Sequence, residues 1–103
     1  MNHLSPNQRG RFVEIQTMSL FIRAGFEVFD NVVKSGPADF VVWDGETFYP
    51  IDTKKVNRYV RKDGSVSYNF TKSADESVLY IGWDAQDGWI WLSEPPEAFS
   101  NVF

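Results

Sequence analysis

Three Asp-Gly dipeptides punctuate the chain, Asp44-Gly45, Asp63-Gly64 and Asp87-Gly88, and each lies between two short runs of apolar and β-branched residues. A dipeptide that tolerates positive φ between two such runs is the strongest short-range signal for a hairpin. The pattern predicts strand pairs 39–43 with 47–54, 59–61 with 66–68, and 78–83 with 89–92. A short strand over 26–29 and a loop over 31–37 precede them. Residues 71–77 read equally as a loop or a single helical turn, and Pro95-Pro96 closes the chain in turn or short helical structure.

The segment before these strands is punctuated differently. Ser5 can cap a helix, Pro6 suits its first position and Gln8 completes a capping box. The helix is expected to run to about Ala24, with Gly25 as its left-handed terminator. One long helix followed by turn-linked strands gives an α/β (α+β) domain: the helix packs on a mixed, mostly antiparallel sheet with a basic hairpin inserted. At 103 residues, a single domain over 1–103 is expected, and dimerisation would add to the apolar surface so small a domain can bury.

Cysteine is absent and His3 is the lone histidine, so disulfides, thiolate sites and the usual zinc chemistry are excluded. Any bound metal would sit on oxygen ligands, which favours magnesium or manganese. No apolar run is long enough to span a bilayer and the N-terminus has no signal-peptide pattern, so a cytoplasmic protein without a membrane partner is the expectation. The net charge of −4 conceals an asymmetry. All ten basic residues precede Ser73, against eight acidic ones, and Lys54, Lys55, Arg58, Arg61 and Lys62 fall within nine positions. From Ser73 onward there are six acids and no base. Local patches, not the total, set attraction to phosphate. A solvated hairpin explains the basic run equally well.

Glu14 is the residue most out of place. At 100° per residue, Gln16, Ser19 and Arg23 form the polar arc of the helix, and Val13, Met18, Leu20, Phe21 and Ala24 the opposite one, with Glu14 near its centre. A carboxylate facing a sheet is costly unless paired, either by a structural salt bridge to arginine or at a functional site. Asp52 and Lys54 share one face of a strand expected to be central, which for an isolated pair is an ordinary surface ladder. Asp39 opens the preceding strand. With the turn centred near residue 45, it lies within about one cross-strand step of Asp52. Convergence of the three acids and the lysine between helix and sheet would demand a divalent cation, and phosphodiester hydrolysis requires such a constellation.

The spaced pattern Arg9-Gly10, Glu14, Ala24-Gly25-Phe26, Gly36-Pro37-Ala38-Asp39-Phe40-Val41-Val42 and Tyr49-Pro50-Ile51-Asp52-Thr53-Lys54 resembles the PD-(D/E)XK nuclease superfamily. Within it, the spacing is most similar to archaeal-type Holliday junction resolvases and small intron- or phage-borne homing endonucleases. The resemblance covers about residues 9–55. It implies a restriction-endonuclease-like core, with Glu14, Asp39, Asp52 and Lys54 catalytic. It also implies that Asp39 and Asp52 ligate Mg2+ or Mn2+, together with the Thr53 carbonyl and Glu14 directly or through water. No organic cofactor is implied. Two departures stand out: the proline is one residue further from the aspartate than the signature has it, and a basic hairpin follows the D-x-K strand where the family usually has a helix.

The expected activity is therefore metal-dependent endonucleolytic cleavage of DNA, structure-selective or site-specific, by a homodimer, since cutting two strands needs two sites. Arg9, Arg11, Lys55, Arg58, Arg61 and Lys62 are the expected phosphate contacts, with Tyr59 and Tyr68 packing on sugars or bases. The acidic C-terminal third is expected to face away from DNA or toward another subunit. Trp83, Trp89 and Trp91 are read as core residues, or as a dimer interface if exposed. The rival readings are a catalytically inactive nucleic-acid-binding or protein-interaction module on the same fold, and a small RNA-acting or toxin-like nuclease.

Overall fold

The computed structural model describes residues 3–31, 37–71 and 77–103. The expected 31–37 loop and the 71–77 segment fall largely outside these residues. Helix α1 spans Pro6–Arg23. Its capping box is formed: Ser5 Oγ accepts from Gln8 N at 3.2 Å, and Gln8 Oε1 accepts from Ser5 N at 2.9 Å. At the other end Gly25, at φ 98°, turns the chain. The amides of Gly25 and Phe26 then reach back to the carbonyls of Ile22 and Phe21, each at 3.0 Å. The Phe21 and Phe26 rings meet edge to face, which completes a Schellman motif with its apolar contact.

The strands are β1 (Glu27–Asp30), β2 (Phe40–Trp43), β3 (Phe48–Lys55), β4 (Asn57–Val60), β5 (Val66–Asn69), β6 (Leu79–Asp84) and β7 (Gly88–Trp91). A five-stranded sheet has the order β1-β2-β3-β6-β7, while β4 and β5 form a separate two-stranded sheet. Only β3 and β6 run parallel within the five-stranded sheet; its other pairings are antiparallel. A parallel pair needs a long crossover, and the β4–β5 hairpin lies within it. A single 3-10 turn, η1 (Glu97–Phe99), follows Pro95-Pro96. Among the described residues the fold is thus α+β, with one α-helix and a mixed sheet, as the turn pattern and helix caps predict.

Alternation along β3 divides the sheet into two faces. Ile51 joins Phe21, Phe40, Val42, Ile81 and Phe99 in the core beneath α1. Trp91 stacks parallel to Phe99 and meets Phe21 edge to face, and both Trp89 and Trp91 pack on this core. Thr17, which the helix periodicity does not single out, is fully buried. Its hydroxyl donates to the Val13 carbonyl at 2.7 Å and accepts from Trp89 Nε1 at 2.9 Å, so a polar group stands in the core with both roles used. The other face is closed near β6 by Val56, which leans over Gly82. A Cβ on Gly82 would lie 2.6 Å from Val56 Cγ1, so glycine alone fits. No helix among the described residues is long and apolar enough to cross a membrane.

Candidate active site

The β2–β3 connection is a four-residue loop whose Asp44 carboxylate accepts from the amides of Glu46 and Thr47 at 2.9 and 2.8 Å. This loop pairs Phe40 with Ile51. The ladder ends at that pair: the Asp39 amide donates to the Ile51 carbonyl at 2.8 Å, one residue out of register, so Asp39 sits in a bend beside Ile51 and Asp52. The Asp39 carboxylate is clamped by one neighbour: its Oδ2 accepts from both the amide and the hydroxyl of Thr53, each at 2.8 Å. These two bonds fix the orientation of Asp39 at the entrance to the sheet.

Asp52 is buried. Burial, and a hydrogen bond from its own carboxyl to that of Asp39, push its pKa up to about 6, against the opposing pull of Lys54. The Lys54 ammonium sits 3.0 Å from Asp52 Oδ2 and 5.8 Å from the centroid of the Tyr80 ring. Tyr80 is the cross-strand partner of Asp52 on β6. Two carboxyl groups and one ammonium are therefore held together along β3, with Asp52 near the start of the parallel β3–β6 pair and Lys54 toward its carboxyl end.

A cleft of about 500 Å³ opens at this end, between the first half of α1 and the ends of β3 and β6. Glu14 and Arg9 line it from the helix, Asp39 from the β2 entrance, Thr53, Lys54 and Lys55 from β3, and Trp83 and Asp84 from β6. Arg9 Nη1 also donates to the Leu4 carbonyl at 3.0 Å.

Several expectations need correction. The four residues do not meet at one point between helix and sheet. Ile51 faces α1, so Asp52 and Lys54 alternate to the opposite face, while Glu14 stands across the cleft. Glu14 is tied to Arg11 at 3.2 Å, and Arg11 also pairs with Asp30 at 2.6 Å. Asp30 hydrogen-bonded to its guanidinium raises the Arg11 pKa further above an already high value. Among the described residues no group of three or more His, Cys, Asp or Glu side chains is gathered as a ready cation site.

Arg58 is likewise committed: its Nε lies 3.1 Å from Asp87 Oδ2, which also accepts from the Tyr68 hydroxyl. These bonds hold the Asp87 carboxyl below its ordinary range and pin the β4–β5 hairpin to the β6–β7 turn. Arg11, Arg58 and Tyr68 thus serve intramolecular contacts, whereas Arg61 and Lys62 stand exposed beside the hairpin turn. Within the acidic third, Asp84 lines the cleft and Asp87 anchors the basic hairpin. Trp83, read from sequence as core, is half-buried in the cleft wall. Sequence reasoning also missed the Thr53 hydroxyl as the second clamp on Asp39. The signal available was a β-branched hydroxyl residue between the two charged positions of β3.

An α+β domain with two neighbouring carboxyl groups and a lysine on its central strand, beside an open cleft, is the class that fold and geometry define. Compared with protein-family models, curated proteins and solved structures, the chain matches none of them.

Proposed function

We propose that the chain is a divalent-metal-dependent endonuclease with a restriction-endonuclease-like core, hydrolysing phosphodiester bonds in DNA and acting as a homodimer. The observation that carries this reading is the cluster on β3: Lys54 lies 3.0 Å from Asp52 and Thr53 clamps Asp39 beside them, next to a cleft lined by Arg9, Lys55 and Glu14. Two adjacent carboxyl groups are suited to share a cation, and hard cations such as Mg2+ are commonly held by one or two carboxylates, with water and substrate phosphate completing the shell. The donor set is all oxygen and fits: Asp39 and Asp52 would hold Mg2+ or Mn2+ with the Thr53 carbonyl, and Glu14 would act through water from across the cleft. Bound there, the ion supplies Lewis acidity and lowers the pKa of an attacking water.

The protein groups divide the remaining work. Thr53 keeps Asp39 in one orientation, so its carboxylate need not reorganise when phosphate enters. Lys54 offsets negative charge developing on the phosphate, and its contact with Asp52 holds the ammonium in place between encounters. Arg9 and Lys55 receive the flanking phosphates, and Arg61 and Lys62 extend the basic track along the hairpin.

The test is a cleavage panel of duplex, single-stranded and four-way-junction DNA and RNA, incubated with Mg2+, Mn2+ or EDTA. Wild type is expected to cut in metal and not in EDTA, and Lys54→Ala to abolish cutting. A second reading, a binding module without turnover, is favoured by one observation, the engagement of Glu14 by Arg11. Absence of cleavage of every substrate at high protein concentration would select it.

A further inference from the structure

The cleft has a chemistry that the carboxylates and lysine do not use. Trp83 is paired across β6 with Lys55 on β3 and with Trp89 on β7, all three on the face that α1 covers. Its ring packs against that of Trp89 at 4.6 Å between centroids and 59° between planes. Trp89 is itself fixed through its indole N–H to Thr17 in the core. Trp83 is therefore a braced aromatic side chain, half-buried, in the wall of a cleft of about 500 Å³. Arg9, Lys55 and Asp39 line the same cleft.

An aromatic wall, two cations and a lining carboxylate match the parts of one nucleotide: a base to stack, phosphates to neutralise and a bond to be placed near Asp39. A volume of this order suits one small ligand in a concave site, whereas a continuous duplex keeps its bases stacked and out of reach of such a wall. Base–aromatic stacking is sequence-tolerant because every base has a π-face.

We infer that the cleft admits one unstacked nucleotide with its base against Trp83 and its phosphates at Arg9 and Lys55, making unpaired nucleic acid the substrate class. The inference rests on the nuclease reading for its orientation toward Asp39 and Lys54, which line the same cleft, and adds to it the base-binding wall.

Binding is measured in EDTA by fluorescence anisotropy, with a labelled single-stranded oligodeoxynucleotide, the same oligonucleotide carrying abasic residues, and a hairpin duplex of the same length. Wild type is expected to prefer the single strand to the duplex and to lose about tenfold in affinity on the abasic probe. Trp83→Leu is expected to weaken intact single-strand binding by about the same factor and to respond no further to base removal. Trp83→Phe, which keeps a stacking face, is expected to restore most of the affinity and shows that loss in the leucine variant is not misfolding. Equal affinity for duplex and single strand, or an abasic effect that persists unchanged in Trp83→Leu, overturns the inference. Lys54-dependent cleavage with unaltered KM in Trp83→Leu would sink the base site and leave the nuclease reading standing. Trp83-dependent binding with no cleavage of any substrate would do the reverse.

Discussion

Replacing Asp52 by asparagine is expected to stabilise the metal-free protein, by an amount that grows as pH rises from the ionisation of Asp52 in the unfolded chain to its ionisation in the fold. Its pKa is raised to about 6 by burial and by the hydrogen bond with Asp39, against about 3.9 for an aspartate in an unfolded chain. Between these values the folded state holds a proton that the unfolded state has lost, so wild-type stability falls as pH rises through this window and levels off above it. The full difference corresponds to about 3 kcal/mol. The asparagine amide has the shape of the protonated acid, its oxygen still accepts from Lys54, and it carries no charge to repel Asp39. The gain for Asp52→Asn at pH 8 is therefore about 1–3 kcal/mol, the lower end allowing for a weaker contact with the ammonium. In a domain of this size that raises the Tm by roughly 5–15 °C. Circular-dichroism melts of both proteins in EDTA at pH 8 and pH 4 measure it, and the two should nearly coincide at pH 4. A lower Tm for the variant at pH 8, or an equal gain at both pH values, would refute the reasoning: the first makes Asp52–Lys54 a net structural ion pair, the second removes ionisation from the effect.

Other outcomes follow from the same contacts. Thr53→Val keeps the β-branched shape but removes one of the two donors to Asp39 Oδ2, and urea titration should show a loss of about 1.5–3 kcal/mol at neutral pH. Gly82→Ala places a methyl group 2.6 Å from Val56 Cγ1 and should cost about 1–3 kcal/mol by the same titration, with partial recovery in the double variant that also carries Val56→Ala. Asp87→Ala removes the shared acceptor of Arg58 and Tyr68; amide hydrogen exchange should quicken across β4 and β5 while the five-stranded sheet keeps its protection, because an isolated two-stranded hairpin has little stability of its own.

Local chemistry wrote much of this fold directly into the chain. Ser5, Pro6, Gln8 and Gly25 act within one or two helical turns, so the limits of α1 are readable without knowing what it packs on. The Asp-Gly turns act over four residues and specify three strand pairs with their approximate register. The D-x-K spacing places Asp52 and Lys54 on one face of β3 because alternation is a property of any strand. What lay beyond local chemistry was which face meets the helix, and that depends on which strand pairs with β3 from the other side. The parallel addition of β6, made through a crossover that includes the hairpin, sets Tyr80 beside Asp52 and Trp83 beside Lys55. It thereby turns a tryptophan read as core into a cleft wall. The partners of the charged residues were equally illegible. Arg11 reaches Asp30 nineteen positions away and Arg58 reaches Asp87 twenty-nine away, and no periodicity encodes such pairs. Sequence alone determined the elements and the face that each side chain takes along its own strand or helix. Only the tertiary structure decided which carboxylates lie together, which cations are already engaged and which aromatic is left facing the cleft, because burial and long-range pairing exist only once the sheet has closed.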